Sequence, residues 1–333
     1  MILAADVGGS KTDVGVFSQE CGPHVPLIQA QVRSADYPSL QALVTEFLRG
    51  TQVTVDRACF DVAGPVINGR VKITNLPWMM DEASLARDLD VKAVHLVNDL
   101  EAVAMAIPIL RPNDLATLNH GQPVPNGTIG VVAPGTGLGE SFLTWDGSRY
   151  IAHGSEGGHA DFAPTDERQI GLLRYMLDRF DHVGIERVCS GIGIPNIYDY
   201  LRDVEAMPET SEVAEMIASA KDRTAAIVDA AINPDRSSQR CTAAVDMFAS
   251  ILAAEAGNTA LKFFATGGIY LAGGIPARIL SVLQRRGFRN AFTRKGRFTQ
   301  FMESIPVHVI LSRAALLGPA GYGLEKSSED ARA

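Results

Sequence analysis

Two stretches of the chain share one pattern of apolar and polar positions: an apolar run, a turn of glycine and hydroxyl residues, and a second apolar run. They span residues 2–17 and 129–145. Each pattern predicts a β-hairpin. Glycine lets a ligand approach the main chain, and consecutive N–H groups in such a turn can bind an anion. The pair indicates two lobes that grip one polyphosphate, and an ordinary hairpin turn is the alternative for either copy alone.

The remaining apolar patterns alternate between strand and helix, which favours an α/β fold with mainly parallel crossovers. Apolar residues recur at helical spacing after Ser39, which predicts a helix there. Further strands are predicted at 27–33, 57–62, 93–97, 268–272 and 306–311. Further helices are predicted at 81–89, at 100–106, through much of 167–265, from Pro276 onward and at 314–324.

The length of 333 residues is comfortable for two hydrophobic cores. Pro108 and Pro112 follow the helix predicted at 100–106 and indicate a domain boundary. We therefore expect a small α/β domain at 1–110, onto which a C-terminal helical segment at about 314–333 packs back, and a large α/β domain at 111–313.

Composition and charge argue against several classes of function. The net charge of −8 disfavours a nucleic-acid binder, and the basic stretch at 285–297 is interpreted as solvated surface. The longest apolar stretch, near 102–110, is too short to span a bilayer. The four cysteines are scattered and form no CxxC pair, which is typical of a reducing compartment, and no signal peptide is apparent. We expect a cytoplasmic protein with no membrane or nucleic-acid partner.

Asp6 stands at the entry of the first glycine turn. A carboxylate beside bound phosphate is unfavourable unless a cation lies between them. Mg²⁺ bridges carboxylates and phosphates in this way and keeps several of its waters. Asp6 is therefore predicted to be a Mg²⁺ partner, either directly or through water.

Asn98 and Asp99 follow an apolar strand and precede a helix. Ligands of open α/β sheets bind at the carboxyl ends of strands. An aspartate there could accept the proton of a substrate hydroxyl during phosphoryl transfer. The alternative is that these residues only cap the next helix.

Glu156 and His159 lie three residues apart in a glycine-rich loop, so both can face one ligand. A polyol fits this pair, because neighbouring hydroxyls offer donors and acceptors together. A metal site and a loop histidine without a role are the alternatives. Further along, Gly273 and Gly274 end a strand, where a base or ribose could lie, although a plain strand-to-helix turn fits equally.

These pieces together resemble the bacterial ATP-dependent glucokinases over nearly the whole chain. The motifs that carry the resemblance are Asp6-Val-Gly-Gly-Ser10, Ala63-Gly-Pro65, Thr74-Asn-Leu-Pro-Trp78, Asn98-Asp99, Gly135-Thr-Gly-Leu-Gly139, the segment from Glu156 to Pro164, Glu186-Arg-Val-Cys-Ser-Gly191, Leu271-Ala-Gly-Gly274 and 287–298. Single motifs also occur in other sugar kinases of the actin-like ATPase superfamily. The combination of Glu-Gly-Gly-His, Asp-Phe-Ala-Pro and Glu-Arg-Val is more specific.

The resemblance implies a duplicated actin-like ATPase (ribonuclease H-like) α/β fold, with two lobes around a deep cleft, and transfer of a phosphoryl group from Mg-ATP to O6 of glucose. It implies that Asp99 is the base and that the partners of the sugar are Asn98, Asp99, Glu156, His159 and Glu186. It further implies that the nucleotide binds at Ala5, Asp6, Val7, Gly8, Gly9, Ser10, Gly135, Thr136, Gly137, Gly273 and Gly274. A homodimer is also expected.

The chain departs from the family pattern at two places. Ala5 stands where glycine is frequent, and Ser10 stands where threonine is usual. Serine keeps the hydroxyl group, so nucleotide binding is still expected. The zinc-binding cysteine cluster of a sister group is missing after the Glu-Gly-Gly-His loop, which favours the plain glucokinase branch.

Four rival functions fit parts of the sequence. One is a kinase for another hexose or an amino sugar, and a related one uses polyphosphate as the donor. A sugar-sensing regulator on the same fold usually carries an N-terminal DNA-binding helix pair, for which a first strand at Ile2 leaves no room. An actin-like nucleotide switch would not need the Glu-Gly-Gly-His loop.

Overall fold

The computed structural model describes residues 1–73, 76–233, 238–312 and 314–330. Thr74 and Asn75, the first two residues of a quoted motif, lie outside the described residues. The chain divides into two compact units. The first comprises Met1–Pro112, Tyr150–Gly154 and Ser312–Ala333, and the second comprises Asn113–Arg149 and Ser155–Leu311.

The helices and strands alternate along both units. Up to residue 112 they are β1 (Ile2–Val7), β2 (Lys11–Phe17), β3 (Ile28–Arg33), α1 (Leu40–Leu48), β4 (Arg57–Val62), β5 (Arg70–Lys72), β6 (Met79–Asp81), α2 (Glu82–Asp88), β7 (Ala93–Asn98) and α3 (Asp99–Ala106). Beyond it they are β8 (Leu115–Asn119), β9 (Ile129–Pro134), β10 (Leu138–Trp145), β11 (Tyr150–Ser155), α4 (Glu167–Leu177), α5 (Gly193–Asp203), α6 (Ser211–Ser219), α7 (Arg223–Ile232), α8 (Gln239–Lys262), β12 (Gly268–Leu271), α9 (Gly274–Arg278), α10 (Leu280–Leu283), α11 (Arg286–Thr293), α12 (Thr299–Ser304), β13 (Val307–Ile310) and α13 (Ala314–Asp330).

The sheet of the first unit has the strand order β3-β2-β1-β4-β7. The hairpin strands pair antiparallel, whereas β1, β4 and β7 pair parallel. Side chains alternate between the two faces of a strand. Leu3 and Ala5 accordingly pack in the cluster that contains Leu40 of α1, and Ile2 and Ala4 pack with Leu316 and other residues of α13. Helices cover both faces, which explains why β1 and β4 are apolar nearly throughout.

The second unit repeats this arrangement. Its sheet contains the order β10-β9-β12-β13-β8, in which β9 and β10 form an antiparallel hairpin and β9, β12 and β13 pair parallel. Its main core surrounds α8, a helix that is buried on most sides, with Phe248 and Leu252 fully enclosed. A hairpin followed by two parallel crossovers therefore occurs once in each unit, which is a duplicated α/β fold.

Most of the predicted elements are confirmed, including both hairpins and the parallel crossovers. Ser39 caps α1, because its hydroxyl oxygen accepts a hydrogen bond from Ala42 N–H at 3.1 Å. One helix start was wrong, because the helix expected from Pro276 begins at Gly274. The last helix continues past the expected Leu324 to Asp330, within the helical segment expected at about 314–333. Helical hydrogen bonding continues there after the last core residue, which an apolar pattern does not reveal.

Among the described residues, no helix is both long enough and apolar enough to cross a membrane.

Candidate functional site

The turn between β1 and β2 is closed by main-chain contacts. Gly8 N–H donates to the Lys11 carbonyl oxygen at 3.0 Å, and a Cβ atom on Gly8 would lie 2.8 Å from the same oxygen. The buried Ser34 hydroxyl donates to the Gly8 carbonyl oxygen at 2.7 Å and lies 3.0 Å from the Thr12 hydroxyl. Ser34, which the sequence analysis did not identify, therefore holds the turn in shape.

The predicted nucleotide-binding residues of this turn differ in exposure. Ala5 and Val7 are buried in the core, so only their main chain could meet a ligand. Gly8 and Gly9 are partly exposed and Ser10 is exposed. The ligand-facing part of the predicted segment is thus the turn itself together with Asp6, which is also partly exposed.

Carboxyl groups from neighbouring parallel strands meet beside this turn. Asp6 of β1 pairs in register with Asp61 of β4, and Asp61 pairs with Val97 of β7, just before Asp99. Asp61 is 1% exposed, and neither of its carboxyl oxygens has a hydrogen-bond partner. Burial and then the negative charge of Asp6 raise its pKa well above the ordinary value. Burial therefore favours the protonated, neutral form of Asp61 beside Asp6.

Asp61→Asn is expected to raise Tm by about 2–4 °C at pH 8, because the amide has nearly the same size and cannot ionise in the buried site. The raised pKa means that the native state holds a proton which the unfolded chain releases above about pH 3.9. Wild-type stability is therefore lost as pH rises, and the advantage of the variant should grow from pH 5 to pH 8. Thermal melts at both values test this, with the exposed Asp88→Asn as control; an equal shift at both values would contradict it.

Asn98 and Asp99 do cap α3. Asn98 Oδ1 and Asp99 Oδ1 each accept from Leu100 N–H at 2.9 Å, and Asn98 Nδ2 donates to the Gly64 carbonyl oxygen at 3.1 Å. Asp99 is nevertheless half-buried, and burial raises its pKa, with the charge of Asp6 adding to this and the Leu100 N–H opposing it. A carboxylate with a raised pKa is a stronger base than an exposed aspartate.

The turn between β9 and β10 is packed against the segment that carries Glu186. Gly135 N–H donates to the Gly137 carbonyl oxygen at 2.8 Å, and Gly191 N–H donates to the Gly135 carbonyl oxygen at 2.7 Å. Glu186 Oε2 accepts from Leu138 N–H at 3.2 Å and lies where a Cβ atom on Gly137 would stand. The structure therefore joins a predicted sugar partner to the predicted phosphate turn.

Glu156 immediately precedes a single 3-10 turn, Gly157–His159, and His159 is its last residue. The side chain of Glu156 is 81% exposed and that of His159 is 68% exposed. Glu156 Oε2 and His159 Nε2 are 3.8 Å apart. Ile185 N–H donates to the Ala160 carbonyl oxygen at 2.8 Å, which ties the loop to the residue before Glu186. The second unit thus brings Glu156, His159 and Glu186 into one region, with polar groups available to a ligand.

A pocket of about 810 Å³ lies in the second unit beside the same turn. Gly135, Thr136 and Gly274 line it, whereas Gly137 and Gly273 do not. Gly273 has a φ of 88°, and a Cβ atom on it would lie 2.7 Å from the Pro134 carbonyl oxygen, so glycine is required there. Ile192, Lys221, Arg223, Ile275 and Arg278 complete much of the lining. No motif marked Ile192, Lys221, Arg223 or Arg278, which come from helices and loops distant in sequence.

The duplicated α/β fold, its two glycine turns and the carboxyl groups beside one of them define a kinase with the actin-like ATPase fold. A sequence model of the glucokinase family matches residues 3–326. The glucokinase of Nostoc punctiforme is 39% identical, covering 96% of this chain and 98% of its own. The chain belongs to the glucokinase family.

Solved structures agree with this assignment. The crystal structure of a glucokinase from an Antarctic psychrotroph superposes with a TM-score of 0.82 at 28% identity, covering 98% of each chain. A ROK family glucokinase from Streptomyces griseus, solved in complex with glucose and AMPPNP, has a TM-score of 0.63 at 17% identity and covers 96% of this chain and 98% of its own. The second likeness concerns the fold alone.

Proposed function

We propose that this protein transfers the γ-phosphoryl group of ATP to the O6 hydroxyl of glucose, giving glucose 6-phosphate and ADP in the first step of glycolysis. The observation that carries the proposal is the half-buried Asp99 at the carboxyl end of β7, whose pKa is raised by burial. A base of this kind can accept the O6 proton as the bond to phosphorus forms. Membership of the glucokinase family supports the choice of substrates.

Proposed functional residues lie in both units. In the first unit, Asp99 is the base, Asn98 is a sugar partner, and the turn from Asp6 to Ser10 holds phosphate. In the second unit, Glu156, His159 and Glu186 bind sugar hydroxyls, and the pocket beside Thr136 and Gly274 takes the nucleoside. Phosphoryl transfer needs positioning and charge neutralisation more than covalent chemistry. These side chains would supply the positioning, and the main-chain N–H groups of the glycine turn would face the phosphate charge.

The residues beside the first turn fit Mg²⁺ that arrives with the nucleotide. Among the described residues no group of three or more His, Cys, Asp or Glu side chains is arranged to hold a metal. Mg²⁺ is commonly held by one or two carboxylates, waters and substrate phosphates, so it does not require such a cage. We assign Asp6 as its protein partner, directly or through water; when bound, the ion would neutralise phosphate charge. Asp61, favoured in its neutral form, would add no second negative charge beside Asp6.

We also propose that the protein works in the cytoplasm as a homodimer, for which the helical part of the second unit offers a face. Light scattering of the purified protein tests the dimer, which a monomer mass at micromolar concentration would refute.

Purified protein with Mg-ATP and a panel of hexoses tests the function, with ADP release as the readout. We expect glucose to be phosphorylated with the highest kcat/KM of the panel, and product analysis to locate the phosphate on O6. Mannose or an amino sugar used in clear preference would overturn the substrate assignment. Polyphosphate in place of ATP is the control for the donor and should support no turnover.

A further inference from the structure

A pair of buried carboxyl groups lies underneath the loop that carries Glu156 and His159. Glu140 of β10 is 2% exposed and Glu255 of α8 is 4% exposed. The Oε1 atom of Glu140 is buried and has no hydrogen-bond donor in the described structure. Two adjacent buried carboxyl groups are unfavourable when both are ionised, and they become favourable when they share one proton.

The loop rests directly on this pair. Gly157 approaches Glu140 so closely that a Cβ atom on Gly157 would clash with Oε2 and Cδ of Glu140. Gly158 is just as close to the main chain of Leu138, two residues earlier on β10. The height of the loop above β10 is therefore set by the Glu140 carboxyl group on one side and by the Leu138 carbonyl group on the other.

Charged and titratable groups near Glu140 come from three segments of the chain. On α8, Lys262 Nζ lies 3.3 Å from Glu255 Oε1, and Asn258 Nδ2 donates to Glu255 Oε2 at 2.9 Å. From beyond α11, Lys295 Nζ donates to Asn258 Oδ1 at 2.6 Å, and burial lowers the pKa of that ammonium group. The buried Cys189 thiol also faces the pair, and its pKa is raised by burial and by both carboxylates.

This arrangement assigns the proton to Glu140. Glu255 has an ammonium group and an amide as partners, so it is the better stabilised carboxylate of the pair. Burial first, and then the charge of Glu255, raise the pKa of Glu140 to about 7, against the lowering effect of Lys262. Glu140 is thus largely protonated near pH 6 and ionises as pH rises above about 7.

We propose that Glu140 is a positioning residue for the sugar-binding loop 156–159, and that the proton shared by Glu140 and Glu255 holds the loop in the form that binds the sugar. The inference rests on the proposed function, because it concerns the same sugar site. Ionisation of Glu140 places a second negative charge in a buried space with no donor for Oε1. The charge must draw in water or push the carboxyl group against Gly157, and either change moves the loop.

The expected consequence is a sugar affinity that falls as pH rises through neutrality. In the protonated form the loop is competent, and in the ionised form it is displaced, so the apparent KM rises with the ionised fraction. We expect the glucose KM of the wild type to increase about tenfold from pH 6 to pH 8.5, with a smaller change in kcat. The other ionisable groups of the site are shared by all variants and cancel in the comparison.

Glu140→Gln tests the inference, because it keeps the size of the side chain and cannot ionise. We expect the ratio of glucose KM between pH 8.5 and pH 6 to fall below about twofold in this variant. Glu212→Gln, the same substitution on the exposed face of α6, should keep the wild-type ratio. A wild-type ratio near one, or equal ratios in the wild type and Glu140→Gln, would refute the positioning role.

Thermal melts separate this inference from the proposed function. A raised pKa in the native state means that wild-type stability falls as pH rises from about 4.3 to about 7, where the native group ionises too. Glu140→Gln should reduce the fall of Tm between these two pH values. Glu255→Gln should lower the pH at which the glucose KM begins to rise. If the wild type does not use glucose at any pH, the proposed function fails. The melts then test the raised pKa of Glu140 without any assay of catalysis, and a pH dependence of Tm that Glu140→Gln leaves unchanged refutes it.

Discussion

Asp99→Asn is expected to lower kcat by about 10²–10⁴-fold while leaving the fold intact. The amide cannot accept the proton of a substrate hydroxyl. It does keep the carbonyl oxygen that receives the Leu100 N–H, and Asn98 Oδ1 accepts from the same group at 2.9 Å. The cap of α3 therefore survives the substitution, and the loss falls on the chemical step. Steady-state kinetics at saturating glucose and ATP measure it.

The control for this prediction is Asp88→Asn, which makes the same chemical change at an exposed position of the first unit, in the last turn of α2. It should keep wild-type kcat and Tm. A folded Asp99→Asn protein with near-wild-type turnover would mean that Asp99 only caps the helix, which is the alternative that the sequence left open.

The elements that the sequence predicted well are those that local chemistry determines. Both hairpins follow from apolar runs on either side of glycine turns, and α1 follows from Ser39 with its helical apolar spacing. Gly157, Gly158 and Gly273 were visible as glycines, but the close contacts that require them appear only when β9 and β10 are in place. The pattern revealed where the chain turns, and the tertiary structure shows why no other residue fits.

The buried acids could not have been predicted in the same way. Asp61 lies in an apolar strand, and only its parallel register with Asp6 turns it into part of a carboxyl cluster. Glu140 and Glu255 are more than a hundred residues apart in sequence, and each by itself would be expected to face solvent. Both sites depend on pairing between distant segments, which no motif encodes. The lining of the pocket beside Thr136 by Lys221 and Arg278 was missed for the same reason.

Buried acids lie beneath both predicted ligand sites. Asp61 lies beside the glycine turn that is proposed to hold phosphate in the first unit, and Glu140 lies under the loop 156–159 of the second. Burial raises the pKa of each group, so each destabilises the native state as pH rises. Groups that lower stability and lie next to a candidate site are expected where function, rather than folding, selects the residue.

Gly158→Ala is the second variant with a large expected effect: the glucose KM should rise by about 10²-fold, since a 1 Å misplacement of binding groups can be that costly. The new Cβ would clash with the carbonyl oxygen and carbon of Leu138, which belong to the main chain of β10 and cannot rotate away. The loop must therefore move, and Glu156 and His159 move with it. Isothermal titration of glucose binding, together with glucose and ATP KM values, would show whether the loss is confined to the sugar.

Gly287→Ala is the matched control for this substitution. Gly287 lies at an exposed position in the first turn of α11, and nothing lies within 4 Å of a Cβ atom placed there. Alanine should be neutral or slightly stabilising at that position, because glycine is the weaker helix former. If Gly158→Ala binds glucose as tightly as Gly287→Ala, the close packing of the loop on β10 does not set the position of the sugar partners. If ATP KM rises as much as glucose KM, the damage extends beyond the loop.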